Sequence, residues 1–321
     1  MDNKKIRFIG RHIKKNGYEY FSYSGCGFEC IVKPQSGPIT ISLISELRDH
    51  DKQYVSIYVN DEFIFKPELG SGEQKITIKV DENKPSLVKL IKENETYLSA
   101  LYLKDISGEL LDVEPSNRPL IGFFGDSITC GYGTVDFHGA DFCMKGEEFT
   151  KTYAFLASNA LKMDYSVVAR SGISIKLPIY CDLIFSEIYD TVDMYEKCPL
   201  DRKLDYAVIN LGTNDNGAYA ILKEEDKPNA LNEFKKAYVE FIKRLIKDNP
   251  NIKIVMVYNT LVLLEEIETA IKEVREKIHK EYKAIKLLKM VHNSDGGNGH
   301  PYMTGHKENS DLLVRAIRDF K

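Results

Sequence analysis

Hydrophobic and polar positions follow two different patterns in the two parts of this 321-residue chain. Up to about residue 115, short runs rich in β-branched and aromatic residues alternate with turn-rich pieces such as DKQ, ELGSGE and DENKP. The predicted strands are YEYFSYS, GFECIVK, PITISLIS, YVSIYVN, EQKITIKV, SLVKLIK and LSALYLK. In the clearest run, Ile76, Ile78 and Val80 alternate with lysine and threonine, as a half-buried strand requires. Runs at this spacing predict a β-sandwich domain over residues 1–115.

The pattern changes after the linker-like segment EPSNRP to apolar strands that alternate with amphipathic helices. The predicted strands are LIGFFG, YSVVA, YAVINL, IKIVMVY and AIKLLKM, and apolar stripes at helical spacing run through residues 231–245, 267–278 and 312–320. This alternation is typical of a parallel sheet covered by helices on both faces. Residues 116–321 are therefore predicted to form an α/β domain with three layers, α/β/α, in which ligands bind beyond the carboxyl ends of the strands.

Composition and charge limit the expected partners. Hydrophobic residues make up 43% of the chain, and the net charge of −4 is spread along it with lysines interleaved among acidic residues. We therefore expect neither a nucleic acid nor a membrane as a partner, and the oligomeric state is left open. The opening MDNKKIRFIG lacks the apolar run of a signal peptide, which indicates a cytoplasmic protein, or a secreted one if the chain has been shortened at its start.

The six cysteines show no spacing that suggests metal binding. They contain no CxxC pair and are accompanied by no histidine-rich segment. We expect packed, reduced thiols, no structural metal and no cofactor.

A glycine-rich segment, GDSITCGYG, follows the first predicted strand of the second domain. Its three glycines permit a tight turn that presents Ser127 at the carboxyl end of the sheet. A serine hydroxyl is a poor nucleophile unless a base accepts its proton, so a nucleophilic role requires a histidine elsewhere in the chain. Taken alone, the segment also fits a simple turn in which Asp126 or Ser127 caps a helix.

The string GDSITxGYG resembles the first sequence block of the SGNH, or GDSL-like, hydrolase superfamily. Two later segments extend the resemblance: SGIS after YSVVAR carries the second-block glycine, Gly172, and GTND after YAVINL resembles the GxND block. The resemblance implies an oxyanion hole formed by the backbone N–H groups of Ser127 and Gly172 and the side chain of Asn214. Taken singly, Asn214 and Asp215 also fit an Asx turn, and Gly172 an ordinary loop glycine.

The same resemblance points to His300 as the base. His300 precedes a proline in a glycine-rich loop before the last predicted helix, as in the family's last block, whereas His306 is expected in the first turn of that helix. The family's aspartate, three residues before the histidine, is Gly297 here, and Asp295 stands five residues before it. Either Asp295 reaches the imidazole and completes a triad, or a backbone carbonyl orients a dyad; we favour the carbonyl.

Taken over nearly its whole length, the chain resembles the two-domain enzymes of carbohydrate esterase family 2, which combine a jelly roll with an SGNH domain. IGR and YFSYSGCGFECIV carry the resemblance in the first domain. It implies a serine esterase that removes acetyl groups from an oligo- or polysaccharide such as acetylxylan. The alternatives are an SGNH lipase or thioesterase, and a sugar-binding protein with an inactive hydrolase fold.

Because the chain contains no tryptophan, any aromatic surface for a sugar has to come from tyrosine or phenylalanine, and several such residues lie near the motifs. We expect packing roles for all of them: Tyr132, Phe137, Tyr153, Tyr180 and Tyr302.

Overall fold

A computed structural model describes residues 4–48 and 50–320. The chain divides into two compact units: one extends up to Asn117 and includes Thr191–Pro199, and the other contains Arg118–Asp190 and the chain from Leu200 onward. The sequence placed the boundary two residues earlier, at 115/116. It gave no indication that Thr191–Pro199 packs with the first unit.

The described residues of the first unit form two antiparallel sheets. Its strands are β1 (Ile6–Ile9), β2 (Ile13–Lys15), β3 (Tyr18–Phe21), β4 (Gly27–Val32), β5 (Ile39–Leu47), β6 (Gln53–Val59), β7 (Glu62–Phe65), β8 (Glu68–Leu69), β9 (Gly72–Ile78), β10 (Ser86–Lys92), β11 (Ser99–Ile106) and β12 (Leu110–Leu111). One sheet has the order β1-β4-β10-β6-β7, with β12 beside β4 and β8 beside β6. The other has the order β2-β3-β11-β5-β9. Phe21 of one sheet meets Phe28 of the other edge-on at 6.4 Å between ring centroids, as the predicted sandwich requires.

Buried polar contacts attach Thr191–Pro199 to this unit. The Arg11 guanidinium donates to the carbonyl oxygen of Cys198 at 2.8 Å, and the Tyr20 hydroxyl donates to the Asp193 carboxylate at 3.0 Å. Val192 and Cys198 also join a buried apolar cluster. Hydrogen-bonded partners so distant in sequence leave no periodic signal, which is why the pattern of apolar positions assigned this segment to the second domain.

In the part of the second unit that the structure describes, there are one parallel sheet and seven α-helices. Its strands are β13 (Leu120–Gly125), β14 (Asp164–Ala169), β15 (Tyr206–Asn210), β16 (Lys253–Tyr258) and β17 (Ile285–Lys289), in the order β14-β13-β15-β16-β17. Its helices are α1 (Ser127–Cys130), α2 (Tyr153–Leu161), α3 (Phe185–Ile188), α4 (Thr213–Ala220), α5 (Lys227–Asp248), α6 (Glu265–Glu281) and α7 (Met303–Arg318). The five predicted strands are the five strands of the sheet. None of the described helices is long and apolar enough to cross a membrane.

The strand order determines both the layers and the place where a ligand can bind. The crossover from β13 to β14 runs in one direction along the sheet, and those from β15 to β16 and from β16 to β17 run in the other. Because crossovers between parallel strands are right-handed, the first lies on one face of the sheet and the other two lie on the opposite face. Helix α2 therefore covers one face together with α7, and α5 and α6 cover the other. This confirms the α/β/α arrangement. The strands are added in opposite directions on the two sides of the β13–β15 pair, which makes this pair the switch point of the sheet. A crevice at the carboxyl ends of these two strands is the expected ligand site.

Candidate active site

Ser127 stands at the turn between β13 and α1, at the carboxyl edge of the sheet. The Asp126 carboxylate caps α1 by accepting from the Ile128 N–H at 3.1 Å. Gly125 is required by the close approach of Thr129, whose Oγ1 would lie 2.0 Å from a Cβ at that position. Asp126 thus supplies the cap, and Ser127 is left to present its hydroxyl.

The His300 imidazole meets this hydroxyl directly. His300 Nε2 lies 2.9 Å from Ser127 Oγ, after a short 3₁₀ turn over Gly297–Gly299. Burial lowers the pKa of His300 below its usual value of 6.5, so the imidazole is neutral at pH 7. Because Nδ1 faces a carbonyl oxygen, Nδ1 carries the hydrogen and Nε2 is the acceptor. This is the tautomer that a general base requires.

The group that orients the imidazole is a backbone carbonyl. His300 Nδ1 lies 3.3 Å from the carbonyl oxygen of Asn298. Asp295 is exposed, and its carboxylate instead accepts from the Asn293 side chain at 2.7 Å. Of the two arrangements left open by the sequence, the contacts match the one in which a backbone carbonyl faces Nδ1, whereas the Asp295 carboxylate binds Asn293.

Asp295→Asn is expected to lower kcat for an activated acetyl ester by less than about tenfold. A triad aspartate would cost on the order of 10⁴, but the Asp295 carboxylate does not contact the imidazole in this structure. The measurement is kcat with p-nitrophenyl acetate, and Asp311→Asn, which removes an exposed carboxylate bound to Lys307, is the matched control. A decrease in kcat near 10⁴-fold at an unchanged unfolding temperature would show that Asp295 acts as a triad aspartate.

Three hydrogen-bond donors lie on the loops around Ser127. Among the described residues, the backbone N–H groups of Ser127 and Gly172 donate to no acceptor, and Gly172 has a φ of 77° after β14. The Asn214 side chain donates to the Ile173 carbonyl at 2.9 Å and approaches the Asp126 carboxylate at 3.5 Å. Asn214, at the start of α4, thus connects the Gly172 loop with the turn that carries Ser127.

Asp215 also holds the Gly172 loop in place. Its buried carboxylate accepts from the backbone N–H groups of Ile175, Lys176 and Leu177 at 2.8 to 2.9 Å. Burial raises the pKa of Asp215 to about 6, although these three donors act to lower it. The side chains of Asn214 and Asp215 therefore bind across the sheet edge, and neither forms the Asx turn that the sequence allowed.

The other candidate side chains match the sequence expectations only in part. His306 does lie in the first turn of α7, where it is buried, accepts from the Tyr153 N–H at 3.2 Å and has its pKa lowered to about 3 by burial. Tyr153 is buried as expected. Phe137 and Tyr180 are 76% and 65% exposed, so the expectation that they pack in the interior was wrong. The ring of Tyr132, a residue for which no specific partner could be predicted, lies against the His300 ring in a tilted arrangement.

Serine hydrolases use a serine hydroxyl in contact with a neutral imidazole for nucleophilic catalysis, and this site has that contact at the switch point of a parallel sheet. The chain belongs to the GDSL-like Lipase/Acylhydrolase family, whose sequence profile matches residues 123–320. This confirms the resemblance seen in the motifs. No curated protein matches the chain by sequence.

Solved structures match both units of the chain. A family two carbohydrate esterase from Clostridium thermocellum, in complex with cellohexaose, is 18% identical with a TM-score of 0.87 and coverage of 98% of both chains. An acetyl xylan esterase from the rumen bacterium Butyrivibrio proteoclasticus is 22% identical with a TM-score of 0.86, over 99% of this chain and 96% of that one. A carbohydrate esterase family 2 enzyme from Corynascus thermopiles is 23% identical with a TM-score of 0.80, over 97% and 98%. At these identities the similarity shows a shared fold.

Proposed function

We propose that this protein is a serine-dependent esterase that removes O-acetyl groups from an oligo- or polysaccharide through an acyl-enzyme. The observation that carries the proposal is the 2.9 Å contact between Ser127 Oγ and His300 Nε2, at the crevice that the strand order predicts. A hydroxyl in contact with a neutral, oriented imidazole is the combination that nucleophilic catalysis by serine needs.

In the first half-reaction, His300 Nε2 takes the proton from Ser127 as Oγ attacks the carbonyl carbon of the acetyl ester. The negative charge that develops on the carbonyl oxygen is stabilised by the N–H groups of Ser127 and Gly172 and by Asn214 Nδ2. The tetrahedral intermediate then collapses, and Nε2 returns the proton to the departing sugar hydroxyl. Water, activated in the same way, releases acetate and restores Ser127.

Asn214 is suited to this role because its two amide hydrogens are held unequally. One is fixed by the Ile173 carbonyl at 2.9 Å, whereas the other has only the 3.5 Å contact with Asp126, at the limit of a hydrogen bond. The first bond fixes the side chain before the reaction. The second hydrogen is therefore available for the oxyanion.

Carbohydrate is the favoured substrate class for two reasons. The whole chain, including the β-sheet unit, shares its fold with carbohydrate esterases, one of which was solved with cellohexaose. Phe137 and Tyr180 also expose aromatic rings in the unit that carries Ser127, and such rings can stack on sugars in a chain that has no tryptophan.

Acetyl esters are expected to be hydrolysed much faster than butyryl or octanoyl esters. Each methylene that a small acyl pocket excludes is worth roughly 1–3 kcal/mol of discrimination. The measurement compares kcat/KM for p-nitrophenyl acetate, butyrate and octanoate, with release of acetate from acetylated xylan as the test of the sugar.

Each alternative function predicts a different outcome. Faster cleavage of the octanoate would support the lipase alternative instead. Binding of xylo-oligosaccharides by a folded protein that cleaves none of the esters would support the sugar-binding alternative.

A further inference from the structure

The ring of Tyr132 lies against the catalytic imidazole. The ring centroids of Tyr132 and His300 are 4.3 Å apart with planes 33° from parallel, and Phe142 stacks on Tyr132 at 4.6 Å. We propose that Tyr132 is the positioning residue for His300, a role that rests on the proposed function of His300 as the base. Tyr132 follows α1 by two residues, so one short segment supplies both the nucleophile and the support of its base.

The Tyr132 hydroxyl also reaches the residue that orients Nδ1. It accepts a hydrogen bond from the Asn298 side-chain amide at 3.4 Å, and the carbonyl of Asn298 is the one that faces His300 Nδ1. Asn298 has φ 49° and ψ 37°, a left-handed conformation that asparagine tolerates better than most residues. Its backbone N–H donates to the Ala140 carbonyl at 2.9 Å. Asn298 is thereby held through both its side chain and its backbone by the segment 132–142.

Further bonds attach this segment to the loop that carries His300. The Gly297 N–H donates to the Gly133 carbonyl at 3.0 Å, and the His138 ring contacts the Ser294 carbonyl through Nδ1 at 2.8 Å. The two backbones approach so closely that a Cβ on Gly133 would lie 2.5 Å from the Gly297 oxygen. The segment 132–142 therefore fixes the His300 loop at several points, and Tyr132 is the part of it that touches the imidazole.

A dyad needs such a support more than a triad does. A carboxylate at Nδ1 attracts the imidazolium and fixes the plane of the ring, whereas a neutral carbonyl at 3.3 Å does so weakly. An aromatic face against the imidazole restricts rotation of the ring and also favours its positively charged form. Tyr132 thus takes over part of the orientation and part of the stabilisation that the missing aspartate would provide.

The test compares Tyr132→Leu with Tyr132→Phe. Tyr132→Leu is expected to lower kcat for p-nitrophenyl acetate by roughly 10-fold to 10²-fold, because small misplacements of a catalytic group have effects of that order. KM should stay within about twofold, since Tyr132 is not assigned to substrate binding. Tyr132→Phe keeps the ring against the imidazole and should retain activity to within about threefold, which separates the effect of the ring from that of the hydroxyl.

A second readout does not depend on activity. In ¹⁵N NMR spectra, wild-type His300 should show a single tautomer with the hydrogen on Nδ1, and Tyr132→Leu should show averaging between the two tautomers. Tyr206→Leu, which breaks an aromatic pair with Phe320 at the amino end of the central strand β15, is the matched control and should leave the His300 signals unchanged. If wild type cleaves no ester, the proposed function fails, while these signals still decide the positioning role.

The proposal is overturned if Tyr132→Leu folds and leaves both kcat and the tautomer of His300 unchanged. A rise in KM at constant kcat would also overturn it, because that result would make Tyr132 a substrate contact. Should Tyr132→Leu fail to fold, Phe142→Leu removes the ring that supports Tyr132 from its far side. It is expected to lower kcat by about threefold to tenfold with the same averaging of tautomers, and unchanged values would again overturn the proposal.

Discussion

Ser127→Ala and His300→Ala are each expected to lower kcat for an activated acetyl ester by at least about 10⁴, and the double variant should be no worse than either one. The physical reason is that the hydroxyl and the imidazole act as one unit through their 2.9 Å contact. Without the base the hydroxyl stays protonated, and without the hydroxyl the base has no nucleophile to activate. Any remaining rate would come from the oxyanion donors and from binding.

The measurement is kcat with p-nitrophenyl acetate, together with the unfolding temperature of each variant. Two matched controls are Ser186→Ala and His292→Ala, since both residues are exposed and lie outside the contact between Ser127 and His300. Both controls should retain activity to within about twofold, as surface substitutions usually do. A folded Ser127→Ala protein that keeps more than about a tenth of wild-type activity would exclude the serine mechanism.

Asn214→Ala is expected to lower kcat by on the order of 10² to 10³ with little change in KM, as loss of a donor that acts in the transition state does. Removal of its side chain also deletes the bond to the Ile173 carbonyl, which holds the Gly172 loop. Both consequences reduce stabilisation of the oxyanion, so they act in the same direction.

The control for Asn214 is its neighbour Asn216, whose side chain accepts from the Leu264 N–H at 2.7 Å. Asn216→Ala removes an asparagine from the same helix and should change kcat by less than about threefold, because it deletes a loop contact and no transition-state donor. If Asn214→Ala raised KM at unchanged kcat, the side chain would serve ground-state binding, and its place in the oxyanion hole would be wrong.

The parts of the fold that the sequence predicted are those with a clear local period. All five parallel strands and the longer antiparallel ones carry apolar runs or strict alternation, which record burial directly. The strands β1, β2, β7, β8 and β12 lie outside the predicted runs, because strands of two to four residues rarely show a period by themselves; β3 is equally short but lies within the longer run YEYFSYS. The segment Thr191–Pro199 was assigned to the wrong unit because buried polar contacts with Arg11, Tyr20 and Tyr23 hold it there.

The residues of the site also differ in whether a local sequence pattern could identify them. Ser127 and His300 could be identified because each lies in a motif whose residues are contiguous in sequence, and the structure brings the two together. The partner of Nδ1 depends on the left-handed backbone of Asn298 and could be stated only as an alternative to Asp295. The role proposed for Tyr132 could not be predicted from its place in GYG. Its contact with His300, which is 168 residues later in the chain, depends on the conformation of the two loops that carry these residues.

Labelling with a serine-directed phosphonate tests the central claim most directly, because the reagent reacts only with a serine hydroxyl activated by a base beside an oxyanion hole. Mass spectrometry of the digested protein should find one phosphonate per chain, attached to Ser127. The adduct should be absent in Ser127→Ala and should form far more slowly in His300→Ala. A folded wild-type protein that takes up no label, or that carries it on another serine while Ser127 stays unmodified, would contradict the account.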